Sequence, residues 1–369
     1  MQGLTRRERL LGVAVALLAL GATSAVALSD GAEPVAQVVA VPTPSPEPVP
    51  TLSPTAGPTP RPVATTAAPR PRIVDRPVPP ALPKTGCPVP PYQGPGGSPK
   101  PRPAPAVAES ALPAPLPVTR KAASLAVVRG KGLWATPWPK TVVDVDALVA
   151  QARAAKVRSI WIRTGGSRQG YYGDRFLPAL VPAAHRAGLR VVAWDFPFLS
   201  DPVADAARAK RALAAGVDAF SPDVETAAEG TYLTTRRLRV YLGLVRSYAG
   251  QRPVVATVPR PTPARKSFPY KAFVPYADAF APMVYWSCRE PGALVQRALE
   301  SLGKLLPVAP VGQAYDMGPE GGRRGLPSRA ETLRFLDAAR RGGAIGAGLW
   351  TVEQASRAQL KALADYRWR

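Results

Sequence analysis

Eight short apolar stretches, at 132–138, 159–165, 190–196, 219–225, 254–260, 279–286, 307–315 and 347–353, alternate with amphipathic stretches across residues 126–369. Their starts lie 25 to 40 residues apart, the length of one strand–helix unit. No Gly-x-Gly-x-x-Gly turn or phosphate loop follows any of them, which leaves a doubly wound open sheet as the second choice. These observations predict an α/β fold: an eight-stranded (β/α)8 TIM barrel.

The chain begins with Arg6, Arg7 and Arg9 ahead of an apolar run over 10–28, and Ala25-Val26-Ala27 offers a small-x-small cleavage site. The run is long enough to span a bilayer. Residues 1–29 are therefore expected to be either a cleaved signal peptide or a membrane anchor. The protein is expected to be secreted, or held at the extracellular face of the cell membrane or in the cell wall, in the second case with a membrane tether.

Residues 30–125 read as a disordered proline-rich linker. Of the 46 prolines, 26 fall between 41 and 120. Such sequence favours extended polyproline II and cannot build a core. Leu82-Pro83-Lys84-Thr85-Gly86 matches a sortase sorting motif. About 280 residues follow it where a short apolar tail belongs, so it is read as coincidence. Cys87 and Cys288 are the only cysteines. In an oxidising compartment they either pair, pinning the spacer to the barrel, or remain two thiols.

Within 126–369 the helix boundaries carry their own signals. Asp144 can cap a helix bearing Val145, Leu148, Val149 and Ala152. Pro202 suits a first helical turn after Ser200-Asp201. Ser328 and Glu331 form a capping box, and Ser356 can cap the last helix, with Leu360 and Leu363 on one face.

Composition removes several kinds of chemistry. Two cysteines and one histidine, His185, leave no Cys/His zinc site and no disulfide-stapled miniprotein. His185 lies on the predicted helix 177–187, away from the strand ends, so no Ser-His-Asp triad is expected. No metal or organic cofactor is required. The net charge is +23, of which +17 belongs to 126–369. An exported basic surface attracts anionic cell-envelope polymers. No nucleic-acid motif accompanies the charge, and no nucleic-acid partner is expected. The barrel is expected to be a monomer.

In such barrels the active site is built at the C-terminal strand ends. Six of the seven tryptophans lie on the predicted strands or their C-terminal edges. Aromatic faces stack on the C–H faces of sugar rings, so Trp134, Trp161, Trp194, Trp286 and Trp350 are candidate substrate-binding residues. Arg163, Asp195, Asp316 and Glu353, near the same ends, join them.

Asp223 and Glu225 end the fourth predicted strand. Positions i and i+2 on a strand share a face. Two neighbouring carboxyls cannot both ionise cheaply, so one stays protonated near neutral pH, as glycoside cleavage demands of its general acid. Glu225, nearer the open end, is the candidate acid, and Asp223 would orient and tune it.

The stretch Gly216-Val217-Asp218-Ala219-Phe220-Ser221-Pro222-Asp223-Val224-Glu225 resembles the strand-4 signature of the chitinase-like glycoside hydrolases of family 18, Asp-x-x-Asp-x-Asp-x-Glu. Asp218, Asp223 and Glu225 match, and Ser221 replaces the second aspartate. Met283-Val284-Tyr285 resembles the family's Met-x-Tyr-Asp, with Trp286 in the aspartate's place. Gly348-Leu349-Trp350 resembles its strand-8 tryptophan. The resemblance implies a substrate-assisted mechanism: Glu225 protonates the leaving group, Asp223 holds the acetamido nitrogen, and Tyr285 bonds the acetamido oxygen. The family 25 muramidases resemble it less well, because 132–138 lacks their strand-1 acid. The expectation is a glycoside hydrolase acting on an envelope or environmental polysaccharide, a peptidoglycan-like glycan included. The alternative is a carbohydrate-binding surface protein on a barrel that has lost turnover.

Overall fold

The computed structural model describes residues 104–118, 124–320 and 322–368. The predicted signal or anchor at 1–29 and the spacer up to 103 lie outside the described residues. Cys288 is disulfide-bonded; the other cysteine, Cys87, lies outside the described residues.

The strands are β1 (Gly130–Ala135), β2 (Ser159–Gly166), β3 (Gly170–Tyr171), β4 (Arg190–Phe196), β5 (Ala219–Pro222), β6 (Val255–Pro259), β7 (Ala279–Val284), β8 (Val311–Gln313) and β9 (Gly346–Trp350). β3 is a two-residue antiparallel return on β2. The other eight are parallel neighbours in the order β5-β4-β2-β1-β9-β8-β7-β6. Parallel bridges from Phe220 to Val254 and from Asp223 to Thr257 join β5 to β6. There the Phe220 and Val224 N–H groups each donate at 3.0 Å, to the Pro253 and Thr257 carbonyls. The sheet thus closes into the predicted barrel.

Seven α-helices are described: α1 (Val145–Ala154), α2 (Leu177–Arg186), α3 (Pro202–Ala214), α4 (Thr235–Ala249), α5 (Pro291–Leu302), α6 (Arg329–Arg341) and α7 (Arg357–Asp365). About eight were expected. Between β6 and β7 two 3-10 turns, Pro263–Arg265 and Tyr270–Phe273, stand where an α-helix belongs. Pro261, Pro263, Pro269 and Pro275 crowd this connection and deny an α-helix its N–H donors. Elsewhere the caps hold as read. Asp144 accepts the Ala147 N–H at 2.9 Å, and Ser328 and Ser356 each close a capping box. Asp201 accepts the Val203 and Ala204 N–H groups before Pro202. Each cap contributes about 1 kcal/mol.

Alternation along the strands separates two cores. Leu133, Ile160, Ile162, Val191, Ala193 and Phe220 face the helices. Trp134, Trp161, Val192, Trp194, Ala219 and Val255 fill the interior. Two glycines make room there. A Cβ on Gly132 would come within 2.8 Å of the Trp161 indole nitrogen, and one on Gly348 within 2.7 Å of that of Trp134. α4 answers from outside with Leu238, Tyr241, Leu242 and Val245, all buried, at helical spacing.

The spacer was expected to run to 125, yet part of it is packed on the barrel. The Val107 N–H donates to the Ser200 carbonyl at 3.1 Å, Arg236 donates to the Leu112 carbonyl at 2.9 Å, and the Leu112 side chain is buried. Residues 104–118 therefore belong with the barrel.

Candidate active site

The C-terminal strand ends enclose a cavity of about 390 Å³. Trp134 and Trp194 line its floor, Asp223 and Glu225 one wall, and Tyr285 and Trp350 line it as well. All six are predicted site residues. Strand parity brings them together. Ala219 faces the interior, so Ser221, Asp223 and Glu225 do as well. By the same count Ala281, Met283 and Tyr285 follow one another inward along β7, and Gly348 and Trp350 along β9.

The aromatic residues hold one another in place. Trp134 stacks on Trp161 with centroids 4.5 Å apart and planes at 22°. The Trp194 indole N–H donates to the Ala135 carbonyl at 3.2 Å. Trp350 stacks on Tyr285 at 5.6 Å and meets Tyr315 edge-on at 4.7 Å. Such offset and edge-on pairs are the favoured aromatic geometries.

The carboxyls are held toward their protonated forms. Burial pushes Asp223 up to about 7; Asp195 and Glu229 add to this, and Arg163 opposes it. One of its carboxylate oxygens, Oδ1, is buried with no hydrogen-bond partner among the described residues. Glu225 is pushed well above the usual carboxylate range, first by burial, then by Asp223 and Glu229, against the pull of Arg265. Burial likewise raises the Tyr285 hydroxyl, which therefore stays protonated and able to donate. The expected neighbour effect between the two carboxyls is present, but burial is the larger cause.

Ser221, where the family 18 signature has an aspartate, shares the inward face of this pair, but its hydroxyl is taken up by β6. Its hydroxyl donates to the Val255 carbonyl at 2.6 Å and lies 2.7 Å from that of Thr257. Asp218 holds the base of the barrel together. It accepts from the Val191 N–H at 2.8 Å and from Arg190, and it lies 2.8 Å from His185 Nε2. His185 is thus an exposed helix residue paired with Asp218, one of the two roles, surface or packing, that its place away from the strand ends predicts.

Six other candidates do not line the cavity. Trp161 lies beneath the floor, 4% exposed, its indole N–H donating to Ser159 Oγ at 3.0 Å. Arg163 is buried beside Trp138 and Trp194, its guanidinium 4.9 and 5.4 Å from their ring centroids. It reaches the site through its contact with Trp194 and its charge on Asp223. Asp195 follows inward-facing Trp194, so parity turns it out to the helices, where Arg208 on α3 grips it at 2.7 and 2.9 Å. Trp286 follows inward-facing Tyr285 and is turned out in the same way. It is fully buried against Phe335 of α6, with ring centroids 5.5 Å apart. Asp316 accepts from the Gly318 and Gly325 N–H groups at 2.8 and 2.9 Å and shapes the loop after β8. Glu353 is exposed and accepts the Thr136 N–H at 2.6 Å, tying the β9 loop to the β1 loop.

Other residues enter without having been candidates. Tyr315 lines the cavity and donates to Glu320 at 2.9 Å. Burial raises the Glu320 carboxyl, partly offset by that bond. Met283, Met317, Arg260 and Arg265 complete the walls. Tyr315 could have been found by parity, two steps beyond Gln313 and four beyond inward-facing Val311. Glu320 sits in a loop, where no period marks it.

No family model and no curated protein matches the sequence. Solved structures do. A chitinase from Chromobacterium violaceum matches at 9% identity over 65% of this chain and 100% of that one, with a TM-score of 0.49. The Bacillus megaterium spore cortex-lytic enzyme SleL matches at 11% identity over 69% and 77%, with a TM-score of 0.49. A family 18 N-acetylglucosaminidase from Paenibacillus barengoltzii matches at 11% identity over 64% and 99%, with a TM-score of 0.47. These are likenesses of backbone course.

Proposed function

We propose that this protein is an exported glycoside hydrolase that cleaves a glycosidic bond beside an N-acetylated sugar in an envelope or environmental polysaccharide. The observation that carries the reading is one wall of one cavity: Asp223 and Glu225, both held toward protonation, facing a tryptophan-lined floor.

A protonated carboxyl at Glu225 is the group a leaving glycosidic oxygen needs. The substrate's acetamido oxygen attacks the anomeric carbon, and the pair of the breaking C–O bond goes to the leaving oxygen, which takes the proton of Glu225. Asp223 accepts the acetamido N–H through the carboxylate oxygen that has no protein partner, and Tyr285 donates to the acetamido oxygen. Water then opens the cyclic intermediate at the anomeric carbon, returning its proton to Glu225, and configuration is retained. Trp350 and the two floor tryptophans supply apolar faces for the sugar ring.

The second reading is a carbohydrate-binding barrel without turnover. What favours it is Ser221, which leaves Asp223 without the neighbouring aspartate of the signature. One experiment separates the two. New reducing ends are counted on purified peptidoglycan, chitin oligomers and other envelope glycans, with Glu225→Gln as control. Ends released by the wild type alone support the hydrolase. Glycan binding by both proteins without ends supports the binding barrel.

A further inference from the structure

The catalytic cavity opens into a second, wider groove of about 970 Å³, and the two share Glu229, Arg260 and Arg265. The groove runs along the connection after β6 toward the start of α5. Four arginines line it: Arg260, Arg265, Arg289 and Arg297. Its one acidic lining residue is Glu229, 4.0 Å from Arg265. Among the described residues, Arg260, Arg289 and Arg297 have no carboxylate within ion-pair distance.

Elsewhere in the barrel, several buried or half-buried arginines are matched by carboxylates, while buried Arg163 is covered by the rings of Trp138 and Trp194. Arg208 has Asp195, Arg246 has Asp278 and Arg323 has Glu331. In the groove the charges face one another instead. Burial and then Arg289, Arg265 and Arg297 push Arg260 down to about 10. Like charges gathered without counter-ions raise the energy of the free protein, and an incoming anion relieves it. Guanidinium groups take carboxylate and phosphate oxygens in paired hydrogen bonds. Phe268 and Pro261 add apolar surface for the sugars between the charged groups.

We propose that this groove is a subsite for the anionic substituents of the polysaccharide strand, so that the substrate is an acidic N-acetylated glycan, carboxylate- or phosphate-bearing, rather than a neutral one. The inference rests on the hydrolase reading of the adjoining cavity and names its substrate class.

The test measures binding and turnover separately on the full chain. The probes are an oligosaccharide in which N-acetylhexosamine alternates with a carboxylated sugar, the same oligosaccharide with its carboxyls reduced to alcohols, a phosphate-substituted glycan of equal length, and a neutral N-acetylglucosamine oligomer. Binding is read from quenching of tryptophan fluorescence at low and high salt. The variant is Arg289→Gln/Arg297→Gln, which alters residues that line the groove but not the catalytic cavity. We expect an anionic probe to bind at least 10-fold more tightly than its neutral counterpart. The double variant and high salt should erase that preference without affecting binding of the neutral oligomer. Which anionic probe is preferred distinguishes carboxylate from phosphate. Equal affinity for charged and neutral probes, or a double variant that keeps the preference, overturns the proposal even if hydrolysis is observed. Charge preference without new reducing ends overturns the hydrolase reading and leaves the anionic subsite standing.

Discussion

Asp195 and Asp223 end neighbouring strands of one barrel, and both are buried. Asp195 points out to the helix layer, where Arg208 holds both its oxygens. Asp223 points into the barrel, keeps an oxygen without a partner and is pushed up to about 7. The same carboxyl is consumed by structure on one side of the sheet and left available for chemistry on the other. A buried charge that is paired holds a fold together; one left unpaired shifts toward its neutral form and can move a proton.

The comparison can be broken at its reactive end first. Glu225→Gln should lower turnover on any cleaved glycan by about 10²- to 10⁴-fold, the usual worth of a positioned acid. Glycan affinity measured by fluorescence should change less than about 3-fold, which is far smaller than loss of a proton donor.

Next comes the structural side. Trp286→Ala opens a cavity against Phe335 and should cost about 3–5 kcal/mol in urea unfolding. Asp195→Asn removes one of the two carboxylates that hold Arg208, leaving Asp205, and should cost about 1–3 kcal/mol. Trp350→Ala, at the partly exposed cavity wall, should leave the urea midpoint nearly in place while weakening glycan binding. If Trp286 rather than Trp350 governs glycan affinity, the parity assignment of β7 is wrong.

Asp223→Asn sharpens the contrast through pH. Burial raises this carboxyl from its ordinary 3.8 to about 7, so between those values the folded state binds more protons than the unfolded one. Its contribution to stability is present below pH 4 and is lost as pH rises toward 7. The asparagine variant should therefore be more stable than wild type at pH 7 by roughly 2–4 kcal/mol, given 1.4 kcal/mol per pKa unit. At pH 4 the two should match. Thermal unfolding at both pH values reads this directly, and equal differences at both would refute it. The smallest effect belongs to a part remote from either carboxyl: Asp144→Ala, which removes a helix cap, should cost about 1 kcal/mol.

Much of this was legible in the residues. The eight strands, the caps at Asp144, Ser328 and Ser356 and the Asp223/Glu225 pair rest on local rules of period, capping and alternation. Four of the misplaced candidates trace to two causes. Asp195 and Trp286 each sit one position past an inward-facing residue, and a count of two along each strand would have set them outside. Arg163 and Trp161 have the inward parity but are covered by aromatic neighbours, Arg163 by Trp138 and Trp194 and Trp161 by Trp134, which only the packing between strands decides. Tyr315 was open to the same count, whereas Glu320 and the arginine groove come from loops with no period to read.

The sequence by itself determined the βα repeat, the closed barrel it implies, and a pair of carboxyls on one face at a strand end, because each follows from spacing along a single segment. Only the tertiary structure decided which carboxyl meets an arginine, which tryptophan forms the floor, how far burial raises Asp223, and that four arginines line the adjoining groove. Those depend on distances between segments remote in the chain, and on the exclusion of water that arises only when the strands close around them.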